Sequence, residues 1–81
     1  MKTDFKLTGL SRAKSMTCEP FNNENIFWPK VGLSQERFNA LWDYFKGAKP
    51  MQMIAEIEHD GLYEDGTPIN GVVLNVRDLE N

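Results

Sequence analysis

Cys18 and His59 are the single thiol and the single imidazole of this 81-residue chain. Together they make the one formal nucleophile–base pair in it. Such a pair works only when thiol and ring touch and a third group orients the base. Nothing around Thr17-Cys18-Glu19 or Glu58-His59-Asp60 supplies a known thiol-enzyme pattern. The two therefore read as a small core thiol and a strand-end histidine.

The second constellation is acidic: Glu56, Glu58, His59, Asp60, Glu64 and Asp65 crowd ten residues. A calcium loop beginning at Asp60 fails, because Leu62 holds a ligand position and the glycine is displaced. Alternation along a strand also sends Glu58 and His59 to opposite faces. No metal or cofactor is expected. The carboxylates read as solvated strand positions that resist edge-to-edge pairing, or as a patch for a basic partner, with Glu56, Glu58, Glu64 and Asp65 as its candidates.

Ile26, Phe27 and Trp28 form an apolar cluster inside a polar stretch. Tryptophan is enriched where interfaces hold most of their energy, so Phe27 and Trp28 are candidate anchors for a partner. The alternative is a loop packed over a small core. Lys2, Lys6, Arg12, Lys14 and Lys30, with Phe5 and Phe27 between them, could follow a phosphate backbone as a single-strand binder does. Their spacing is loose and fits no nucleic-acid signature. Glycine-rich phosphate loops, paired cysteines and the HExxH and GxSxG patterns are absent.

These residues sit on elements legible from periodicity. Phe38, Leu41, Trp42 and Phe45 recur at helical spacing, predicting a helix over 33–47 whose stripe buries Trp42. Ser34 stands at the N-cap and Leu33 and Phe38 match a hydrophobic staple, while Gly47 and Pro50 end the element. The period then changes to two. Met51, Met53, Ala55 and Ile57 alternate with Gln52, Ile54, Glu56 and Glu58, and Val72, Leu74 and Val76 share one face of a second strand, predicting a hairpin over 51–77. Asp65-Gly66 as its two-residue turn pairs Leu62 with Ile69, His59 with Val72, Ile57 with Leu74 and Ala55 with Val76. Asp60-Gly61 then becomes a bulge or kink. Phe5 and Leu7 alternate within a strand over 1–9, and prolines, asparagines and Gly32 make 10–32 a long irregular segment.

The expected architecture is one α+β domain in β-α-β-β order. Its small, mostly antiparallel three-stranded sheet carries the helix across one face, with the first strand antiparallel to the last. Ile54, Leu62, Ile69 and Val73 would share the opposite face, which needs a cover, and a homodimer would supply one.

Composition bounds the function. Hydrophobic residues make up 41% and charged residues 26%, which argues for a folded chain. The net charge is −3. Eight of the nine basic side chains fall in the first fifty residues, and seven of the twelve acidic ones in the last thirty-one. That layout disfavours nucleic acid. A single cysteine excludes an internal disulfide and points to the cytoplasm, and no apolar run suits a signal or a membrane span. By subtraction the chain reads as a non-enzymatic protein-binding or accessory module with an acidic hairpin. The alternative is a weak single-strand binder using its basic N-terminal segment.

Overall fold

The computed structural model describes residues 1–45 and 53–78. Strand β1 spans Lys2–Ser11 and buries Phe5 and Leu7 on one side. Gly9 bends it rather than ending it: the pairing shifts between Leu7 and Gly9, and the strand continues. A tight turn with Lys14 at φ 58° reverses the chain into β2, Ser15–Glu19, whose Met16 and Cys18 point inward. The Ser11 and Ser15 hydroxyls meet at 2.9 Å across the turn. Strand β3 is only Lys30–Val31. After helix α1, Gln35–Phe45, come β4, Met53–Glu58, and β5, Val72–Asp78.

The sheet runs β2-β1-β4-β5-β3, antiparallel except for the parallel β3–β5 pair. This overturns the three-stranded expectation. Residues 10–32 are not one loop: they complete β1 and supply β2 and β3. The first strand lies beside β4, not β5, with Phe5 opposite Ala55. The two edges then approach each other. Cys18 and Phe27 exchange backbone hydrogen bonds of 3.0 and 2.9 Å, which brings β2 against the chain leading into β3 and rolls the sheet nearly into a barrel. Closure hides edge groups that would otherwise need water or a partner.

The core fills this barrel with Phe5, Leu7, Met16, Cys18, Leu33, Phe38, Met53, Ala55, Ile57, Val73 and Val76. The helix contributes through Phe38 and, less deeply, Leu41. Ser34 caps it as expected, its Oγ accepting from the Arg37 N–H at 3.1 Å. Trp42, expected inside, is only half-buried and carries the Arg12 guanidinium 5.7 Å from its ring. A barrel encloses its own core, so the helix inserts one aromatic ring and has no flat sheet face to cover. The expectations for the Phe45 side chain, Gly47, Pro50 and Met51 lie outside the described residues.

The β4–β5 register also departs from expectation. Ala55 does face Val76, but Ile57 faces Val73 and Glu58 faces Val72, because the pairing shifts between Glu56 and Ile57. The extra residue on β5 reverses the alternation beyond it. Val73 is therefore fully buried and Leu74 is 47% exposed. The turn lies one residue from its expected place. Tyr63 N–H donates to Thr67 O, and Gly66, at φ +87°, donates to Tyr63 O, enclosing Glu64-Asp65-Gly66 as a three-residue loop. Ile69 bonds to both Asp60 and Gly61, the two-against-one pattern of a bulge, which sequence left open beside a simple kink.

Gly32 has a strict requirement. A Cβ there would lie 2.8 Å from Val73 O and from Val72 Cγ1, so only glycine lets the chain leaving β3 lie this close to β5.

The core assignment has a quantitative consequence. Phe38→Ala should cost about 3–5 kcal/mol, whereas Leu74→Ala should stay within about 0.5 kcal/mol. Chemical denaturation of both variants checks it; equal losses would contradict the register.

Candidate functional site

The structure divides the acidic residues singled out by sequence between the outer sheet face and the loop joining β4 and β5. Glu56 is half-buried on the outer sheet face, 3.7 Å from Lys2 Nζ and 3.3 Å from Arg77 Nε, and it accepts from Asn75 at 3.0 Å. Arg77 reaches across β4 to Asp4 as well. Glu58 pairs with the Met1 amino group at 3.1 Å. Lys6 pairs with Glu19 at 3.2 Å. These pairs tie the strands of the outer face together, and they occupy two of the N-terminal cations expected to meet phosphate.

The proposed dimer face does not form either. Val73 points into the core. Ile54 is buried between its cross-strand neighbours Lys6 and Arg77, Ile69 is half-buried, and Leu62 is exposed. One shifted residue on β5 separates what strict alternation had placed together.

Cys18 and His59 do not pair. The His59 Nε2 meets Thr3 Oγ1 at 2.7 Å, and Nδ1 accepts from the Gly61 N–H at 3.1 Å. Nδ1 also lies 3.0 Å from Gly61 O. His59 thus holds the loop of residues 59–71 to β1. Burial pushes the Cys18 thiol up to about 12, because a thiolate loses hydration among apolar neighbours. Among the described residues no three His, Cys, Asp or Glu side chains converge as metal ligands.

What the fold does assemble is a groove. Phe27 turns inward, edge-on to Phe5 with centroids 5.0 Å apart. Alternation then turns its neighbour Trp28 outward, 71% exposed. Trp28, Pro29 and Lys30 form one wall of a cleft of about 460 Å³. Residues of the β4–β5 loop form the other: Tyr63, 58% exposed, with Thr67, Pro68 and Asn70. Two of the largest exposed apolar side chains therefore line one depression.

The loop wall is held in place. Asn23 and Asn25 donate side-chain amides to Asp65 O at 2.9 and 3.0 Å. The Asp65 carboxylate accepts from the Thr67 hydroxyl at 2.6 Å and from the Thr67 N–H at 3.0 Å. Those bonds, the hydroxyl's first, hold its carboxyl below the usual range. Asp60 accepts from Asn70 at 2.9 Å. Two residues lining the groove thus each have an acidic side chain as hydrogen-bond partner, and Glu64 stands exposed between them in sequence.

Phe27, Trp28, Glu64 and Asp65 are brought near this site. Tyr63, Pro68 and Asn70 were missed. The signal available for Tyr63 was an aromatic ring beside a turn in an otherwise polar loop, and its wall across from Trp28 depends on pairing far away in sequence.

Comparison with known proteins adds no relative: no family model, curated protein or solved structure matches the chain. Among the described residues no helix is long and apolar enough to cross a membrane.

Two measurements follow. Because the Asp65 pKa is lowered on folding, its contribution is complete above the ordinary carboxylate value of about 4 and is lost as pH falls through the folded-state value. The Thr67 amide resonance should report that loss on acidification, and Asp65→Asn should abolish it. Cys18 should resist thiol reagents at neutral pH until the chain unfolds; rapid labelling of the native protein would place the thiol outside the core.

Proposed function

We propose that the protein is a non-enzymatic binding module whose ligand is a segment of another protein, taken in the groove between Trp28 and Tyr63. The observation that carries this reading is the convergence of two exposed aromatic side chains on a cleft whose walls are already fixed by hydrogen bonds. Exposed aromatic rings in a preformed depression lose little entropy on contact and bury large apolar area. A tryptophan and a tyrosine are also the residue types that dominate protein interfaces.

A second reading has one specific observation in its favour. Five strands with β3 parallel to β5 and a helix between β3 and β4 follow the Greek-key order of OB-type barrels. Those barrels bind oligonucleotides on the face of their second and third strands, and Trp28 beside Lys30 would offer stacking and one cation there. This is an analogy of fold. Charge weighs against it: Lys2 and Lys6 are paired with carboxylates, and residues 59–71 contain Asp60, Glu64 and Asp65 with no lysine or arginine.

Trp28→Ala and Tyr63→Ala should leave thermal stability unchanged, since both rings are exposed. Used as bait in a lysate of the native host, each should lose proteins that the wild type retains after nuclease treatment. Retention unaffected by either variant would reject the site. Capture abolished by nuclease, with oligothymidylate affinity falling steeply with salt, would favour the second reading.

A further inference from the structure

The groove constrains the backbone of its occupant. An added β-strand needs a free ladder edge. The wall offers none in a row: Phe27 is bonded to Cys18, the Lys30 and Gly32 amides to Gly71 and Val73, and Pro29 has no N–H. A polyproline-II segment needs no ladder, because its backbone makes no internal hydrogen bonds and its carbonyls point outward for donors. Donors are present: among the described residues neither the Trp28 indole N–H, the Tyr63 hydroxyl nor the Lys30 ammonium has a hydrogen-bond partner. Aromatic rings flanked by Pro29 and Pro68 match the apolar, slotted surface on which proline rings stack.

Charge constrains the side chains. The loop wall carries Asp60 and Asp65, hydrogen-bonded to the lining residues Asn70 and Thr67, and Glu64 exposed at the turn. Lys30 is the one charged side chain among the described lining residues, and the three carboxylates of the adjoining loop outnumber it, so the surroundings favour a lysine or arginine over a phosphodiester.

We propose that the groove accepts an extended, proline-rich peptide segment bearing a basic residue, with its prolines against Trp28 and Tyr63 and its cation toward the acidic loop. This rests on the protein-binding reading above and narrows it to one ligand chemistry. The cost of ordering the site is small because the Asn23 and Asn25 amides already fix the loop.

The test is selection from a fully random short-peptide library displayed on phage, with the wild-type protein as target and Trp28→Ala as counter-target. The enriched peptides should contain spaced prolines and at least one lysine or arginine. Synthesised, they should bind at least about tenfold more weakly to Trp28→Ala and to Tyr63→Ala. Their affinity should also fall with added salt and with the Glu64→Gln, Asp65→Asn double variant. Peptides that depend on Trp28 but lack proline or a basic residue would overturn this inference and leave the protein-binding reading standing. Failure to obtain any Trp28-dependent peptide would overturn both.

Discussion

The mutual hydrogen bonds between Cys18 and Phe27 organise the rest of the molecule. Without them β2 would be an open edge, and residues 20–29 would be held mainly through the Asn23 and Asn25 bonds to Asp65. With them the sheet rolls up, Phe27 is drawn in against Phe5, and Cys18 is sealed in the interior. The inward turn of Phe27 forces Trp28 outward, and Pro29 then holds the chain extended into β3. One pair of residues therefore closes the core and sets one wall of the groove.

The second wall depends on a different economy. The β4–β5 connection is long, yet its ends and tip are pinned: His59 to Thr3 and Gly61, Ile69 to Asp60 and Gly61, Asp65 to Thr67, Asn23 and Asn25. Loops on a rigid scaffold are where binding residues concentrate. Here polar side chains of the loops join backbone bonds in the pinning, which accounts for the order of so polar a sequence. The carboxylates that looked like one patch divide into two jobs. Glu56 and Glu58 hold the outer sheet face, and Asp60 and Asp65 shape the groove.

How much of this was legible depends on the range of the interactions that decide it. The helix was readable because Ser34 and the Phe38–Leu41 spacing are local signals. The strand content of 10–32 was not, because β3 is two residues long and follows a proline, and its pairing with β5 joins residues some forty positions apart. A single extra residue on β5 was enough to exchange Val73 and Leu74 between inside and outside. Phe27 and Trp28 stood out by composition, whereas Tyr63 gained significance only when the barrel brought its loop alongside them. The helix stripe overstated burial for Trp42, since periodicity reports which face is apolar and not how deep the partner surface is.

Amide hydrogen exchange at Cys18 and Phe27 tests the central claim, that their pairing closes the barrel and thereby builds the groove. Closure predicts that both amides exchange nearly as slowly as those of Ala55 and Ile57 in the central strand, since all would open only with the barrel. Exchange of the Cys18 and Phe27 amides as fast as those of the exposed residues 21 and 22 would show the edge to be open and contradict the account.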